Sequence, residues 1–141
     1  MSPRNKGRTP GSPDEWLSHA KSDLRLAELA VHDELIHREQ VCFHAQQAAE
    51  KAIKAVLLLR KVEFPLTHDI EVLLDIAENG EIRLPVDMRE VGLLTPYAVA
   101  ARYPGHWFEI TPADVREALE AAGRTVCWAE TKLRGLRGIG S

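Results

Sequence analysis

The segment AARYPGHW places Arg102 four residues before His106, with Tyr103, Pro104 and Gly105 between them. These are residue types that metal-independent cleavage of RNA requires. Such cleavage needs a base for the 2'-hydroxyl, an acid for the leaving oxygen and a fixed cation for the charge that builds on the phosphate. Histidine serves the first two roles near neutral pH, and the guanidinium fork of arginine matches phosphate oxygens. One chain supplies one such pair, whereas two chains facing each other supply two. The same residues also read as punctuation. An arginine near a helix C-terminus complements the helix dipole and bonds the last carbonyls, and Tyr-Pro-Gly then turns the chain.

Other chemistries find little support. The sequence has no phosphate-binding glycine loop, no HExxH helix, no cysteine-pair zinc pattern and no GxSxG elbow. His19, His32 and His37 lack a second ligand at metal spacing and read as solvated groups, and His68 beside Asp69 reads as local hydrogen bonding at the start of a helix. Cys42 and Cys127 fall within apolar helical repeats and are expected to be buried, reduced thiols. No metal site and no cofactor are expected.

Bulk properties narrow the class. Hydrophobic residues make up 45% of the 141-residue chain and charged residues 28%, the balance of a soluble globular domain with a core of its own. All 21 acidic residues lie between Pro13 and Thr131, against twelve basic ones there, while the two ends carry only Arg4, Lys6, Arg8, Lys132, Arg134 and Arg137. So acidic a body repels a polyanion at long range, which excludes non-specific coating of nucleic acid. The N-terminus MSPRNKGRTPGS is followed by no apolar stretch, and the run AIKAVLLL contains Lys54 and is too short to span a bilayer. The expectation is a cytoplasmic protein without membrane contact.

The elements that must position Arg102 and His106 are helical throughout. Ser12, Pro13 and Glu15 supply a cap, a first-turn proline and a capping-box glutamate, after which Leu17, Ala20, Leu24, Ala27 and Val31 draw one apolar stripe with Trp16 at its margin. A second helix is predicted from about Arg38 to Lys61, with Cys42, Ala45, Ala49, Ala52, Ile53, Val56 and Leu59 facing inward. Its other side carries His44, Gln47, Lys51 and Lys54 together with Phe43 and Leu58, a mixture that reads as a partner surface. Thr67 is the expected cap of a short third helix using Ile70, Leu73, Leu74 and Ala77 and ending at Asn79-Gly80. A fourth begins after Pro85, carries Val91 and Leu94, and meets Pro96, which either kinks it or opens a new segment capped by Thr95. Thr111, Pro112 and Asp114 open the last helix, traced by Val115, Ala118, Leu119, Ala122, Val126 and Ala129. The predicted architecture is an all-α, up-and-down bundle of four to five helices over 13–134, between a flexible basic tail at 1–12 and a flexible tail at 135–141.

From about Trp16 to Leu133 the chain resembles the HEPN domain family. The resemblance is carried by WLSHAKSDLRLAELA, VCFHAQQAAEKAIKAVLLL, THDIEVLL, LLTPYAVAARYPG and ADVREALEAAGRTVCWAETKL, in that order. It implies a helical bundle that commonly forms a homodimer, with Phe43, Gln47 and Leu58 as interface candidates. It also implies one of two occupations: metal-independent ribonuclease, often a toxin, or partner of a separately encoded minimal nucleotidyltransferase. In the ribonuclease-competent members an arginine is followed after four to six residues by a histidine, usually with a polar residue directly after the arginine. Arg102 and His106 match these roles as the catalytic pair, with Lys51, Tyr97 and Tyr103 as nucleotide or RNA contacts. Here three residues intervene and Tyr103 follows the arginine. One residue fewer displaces the imidazole by up to ~3.5 Å along the chain. A related toxin pattern has a tyrosine two residues beyond the histidine, where a partner enzyme can attach nucleotide; this chain has Phe108 there. The leading expectation is therefore a HEPN-fold dimer acting with a minimal nucleotidyltransferase, in a toxin-antitoxin-like or nucleotide-handling pair. The alternatives are a ribonuclease toxin and a non-catalytic helical interaction module.

Overall fold

The computed structural model describes the backbone of residues 11–100 and 109–140. Among the described residues the elements are α1 (Pro13–Ala30), α2 (Arg38–Leu59), α3 (Ile70–Asn79), a 3₁₀ segment (Met88–Leu94), α4 (Tyr97–Ala100) and α5 (Pro112–Gly140), with no strand. No helix among them is long and apolar enough to cross a membrane. Trp16 of α1 lies against Lys54 of α2, and Lys21 of α1 against Glu130 of α5, so α1 runs antiparallel to both. With α3, the 3₁₀ segment and α4 forming the return, the order is up-and-down, and α2 occupies the centre in contact with every other element.

Local chemistry explains where the long helices begin. Ser12 Oγ accepts from the Glu15 amide while Glu15 Oε1 accepts from the Ser12 amide, a closed capping box ahead of Pro13. Thr111 and Asp114 make the same reciprocal pair ahead of α5. The third helix departs from expectation: Asp69, not Thr67, is its cap, accepting from the Glu71 amide, while Thr67 Oγ1 accepts from the Asp69 amide. The hydroxyl of Thr95, expected to cap the segment after it, accepts from the Ile70 amide of α3 at 3.0 Å. The expected fourth helix forms as the 3₁₀ segment, and Pro96 opens α4 as a separate turn.

Burial follows the predicted stripes with instructive exceptions. Leu17, Ala20 and Ala27 are buried, but Val31 closes α1 as its C-cap and is exposed. On α2 the inward residues Cys42, Ala45, Ala49, Ala52, Ile53 and Val56 are all buried, and so is Lys54, which the sequence placed on the outer side. Cys127, expected to be buried, is exposed: it sits one position off the buried line of Ala122, Val126 and Ala129 on α5. That last helix continues to Gly140, past the boundary at 134 drawn from its periodicity.

Two helix ends are closed by backbone bonds at non-glycine residues where glycine is usual. The Val62 amide bonds Leu57 O at 2.9 Å and the Lys61 amide bonds Leu58 O at 3.1 Å, a Schellman closure that puts Lys61 at φ 59° and ends α2 at Leu59 rather than at Lys61. Glu81, at φ 63°, closes α3 through Ile82 to Ala77 and Glu81 to Glu78 bonds. A residue with a Cβ is strained in this region, and glycine relieves the strain at some cost in unfolded-chain entropy. Lys61→Gly is therefore expected to raise stability by about 0.5–1 kcal/mol in a urea titration.

Candidate functional site

The feature of the described residues that hydrophobic packing alone does not explain is a polar seam along α2. Gln46, Glu50 and Lys54 recur every fourth residue and are 0%, 3% and 5% exposed, in a helix otherwise buried through alanine, valine, isoleucine and leucine. Burying such groups costs free energy unless each finds its partners. They do. Glu50 accepts from Lys54 Nζ at 2.9 Å and from Gln46 Nε2 at 3.0 Å, and faces His68 Nδ1 at 3.0 Å. Gln46 Nε2 also reaches His68 O at 3.3 Å, so both the backbone and the ring of His68 are fastened to α2. Lys54 Nζ stands 5.6 Å from the Trp16 ring centroid and 5.8 Å from that of Phe64, held between two aromatic faces.

Beside this seam, Asp23 of α1 joins two more groups of α2. Its carboxylate accepts from Lys51 Nζ at 2.7 Å and meets His44 Nδ1 at 3.1 Å. Lys51 also borders a cavity of about 240 Å³ with Glu15, Trp16 and His19. Phe43, Gln47 and Leu58 are half-buried along the same side of α2, and Gln47 Nε2 donates to Gln46 Oε1 at 2.7 Å. On this side of α2 Lys51 is engaged by Asp23, and Lys54, expected there, is buried instead.

Tyr97 lies elsewhere, on α4 against the start of α2. Burial pushes its hydroxyl up to about 12, helped by its bond to the Cys42 thiol and by the nearby negative charges of Asp114 and Glu117. Burial likewise raises the Cys42 thiol to about 12, with Asp114 and Glu39 adding to the shift. Tyr97 also borders a groove of about 310 Å³ with Glu90, Asp114, Glu117, Glu120 and Arg124. The two thiols should separate cleanly in a disulfide-exchange titration of the native protein at pH 8. Exposed Cys127 reacts at once, whereas Cys42, buried and with a thiolate fraction of roughly one in ten thousand, reacts only as the fold opens.

Arg102, Tyr103 and His106 lie outside the described residues. The chain on either side of them is anchored. Upstream, α4 packs on α2; downstream, Ile110 is 3% exposed and its carbonyl accepts from Arg38 Nη1 at 3.0 Å. Lys51 and Tyr97 do not share a site among the described residues, since each is held by a different cluster. Sequence reasoning missed Gln46, Glu50 and the role of His68. The available signal was three polar residues at four-residue spacing inside the most apolar helix. No group of three or more metal-ligating side chains occurs among the described residues.

Comparison with known proteins agrees with this architecture. A family model described as HEPN domain matches residues 13–132. The crystal structure of an archaeal HEPN homologue aligns with a TM-score of 0.69 at 27% sequence identity, covering 87% of this chain and 98% of that one. No curated protein matches the sequence.

Proposed function

The chain belongs to the HEPN domain family, and from that premise we propose that it acts as a homodimer with a minimal nucleotidyltransferase, in a toxin-antitoxin-like or nucleotide-handling pair. The observation that carries this reading is the state of the cations and of Tyr97. Lys51 is bound by Asp23, Lys54 by Glu50, Arg89 by Asp75 and Glu78, and Arg124 by Asp87, while Tyr97 stands among carboxylates. A phosphate chain arriving at these places would have to displace ion pairs already made, whereas a folded protein partner need not. The test is to look for a minimal nucleotidyltransferase encoded beside this gene and to co-express the two; the absence of such a neighbour counts against the pairing. Stoichiometric co-elution, with two copies of this chain in the scattering mass, supports the pairing; separate elution of a monomer removes it.

The residue types and order of Arg102 and His106, at a spacing shorter than the family's pattern, support a second reading, cleavage of RNA by a site shared across the dimer. It predicts hydrolysis in the presence of chelator that falls by about 100-fold or more in Arg102→Ala and in His106→Ala. Activity undiminished in both variants excludes that site. A helical interaction module is what remains if neither pairing-linked chemistry nor RNA cleavage is found, since the fold does not by itself fix an activity.

A further inference from the structure

We infer that this chain docks head to tail on a second copy of itself, with the basic end of one bundle seated in the acidic groove at the far end of the next. The inference does not depend on a nucleotidyltransferase. The helix order assembles the basic end. The start of α1 and the end of α5 share a cleft lined by Asp14, Leu17, Lys21, Leu133 and Arg134, and Trp16 of α1 lies against Lys54 near the end of α2. Gly11 is at the same place, since a side chain added to it would meet Trp16 Nε1 at 3.1 Å. The arm of ten residues that joins the bundle there carries Arg4, Lys6 and Arg8 and no acid. Arg60 and Lys61 follow the last turn of α2 and Lys132 lies near the end of α5, and none of these three pairs with a carboxylate among the described residues.

The groove beside Tyr97 lies at the opposite end. Leu94, Ala118 and Ala121 line it, Leu93 stands at its rim 73% exposed, and Asp114, Glu117 and Glu120 follow one another along the first turns of α5. The cation in its lining, Arg124, is already held by Asp87 and Glu90, whereas Glu117 and Glu120 pair with no cation among the described residues. An apolar floor with acids on its rim selects a cationic cover. The chain's own arm cannot supply it. Lys21 is level with Glu130, so Glu117 lies about 20 Å along α5 to one side of that level and Gly11 about 15 Å along α1 to the other. Fully extended, the arm carries Arg8 at most ~10 Å and Arg4 ~25 Å from Gly11, short of the ~35 Å between them and their own groove. Only another copy brings these charges together. The contact joins two different faces, so each docked pair keeps a free basic end and a free groove, unlike a two-fold homodimer.

The test is sedimentation velocity of the full-length chain over a concentration series in about 20 mM and about 500 mM salt. The average mass should climb with concentration in the low salt and settle to a constant unit in the high salt. Glu117→Lys with Glu120→Lys reverses the groove, and Arg4→Glu with Lys6→Glu and Arg8→Glu reverses the arm. Each variant, checked for native helicity, should weaken the low-salt association by about tenfold or more. Mixed in equal amounts, the two variants again present opposite charges and should recover it. No climb in the parent, a climb undiminished in either variant, or a mixture that stays unassociated overturns the inference. So does saturable binding of a single-stranded RNA, lost in the arm variant, by a chain that shows no self-association. The high-salt mass reports on the homodimer separately: two chains with no further climb leave the homodimer standing and sink the head-to-tail contact, whereas a single chain that climbs in low salt supports the contact and removes the homodimer.

Discussion

Replacing Glu50 by alanine lowers folding stability by about 3–5 kcal/mol in a urea titration. Glu50 and Lys54 are both buried and lie 2.9 Å apart, so removing the carboxylate leaves an ammonium enclosed by Trp16 and Phe64 without a counter-charge. It also strips acceptors from Gln46 and from the His68 ring. The cost is that of an orphaned charge rather than of a lost attraction, and a second variant tells the two apart. Glu50→Leu with Lys54→Met removes both charges at similar volume and should lie close to the parent or above it. A double variant as unstable as Glu50→Ala would mean that the pair itself holds the fold together.

Ile53→Ala costs about 2–5 kcal/mol, in the upper half of that range. Ile53 is 0% exposed and is followed on α2 by Ala55 and preceded by Ala49 and Ala52, all equally buried. Alanines set the distance of closest approach between helices, and their side chains have no rotamers with which to fill a hole. Relaxation into the vacated space would therefore have to move whole helices, and packing of α1 and α5 on the same helix resists that. Ile53→Val, which removes one methylene, should cost about 0.5–1.5 kcal/mol. Equal small losses for both variants would show that the bundle collapses around the gap.

The legible parts of this fold are those settled within a few residues. Ser12 with Glu15 and Thr111 with Asp114 are complete in the sequence, and both caps form as read. The choice between Thr67 and Asp69 was not local, because both are good caps and the Thr95 hydroxyl, 25 residues away from Ile70, engages the first amide of α3. Gln46, Glu50 and Lys54 escaped for a related reason. Polar groups every fourth residue look like a wetted face, and only Trp16, Phe64 and the chain at His68 turn that face inward. Cys127 shows the limit of periodicity itself, since one step around α5 separates a buried position from an exposed one. The HEPN resemblance reached the family and the helical order, whereas Arg102 and His106 lie beyond what the described residues position.

The hydroxyl of Thr95 latches the opening amide of α3, two residues after His68, while the carbonyl of the same threonine accepts from the Ala98 amide at the start of α4. One residue thus ties together two corners of the chain, the opening of α3 and the opening of α4, so that Thr95→Val would free the first without touching the second.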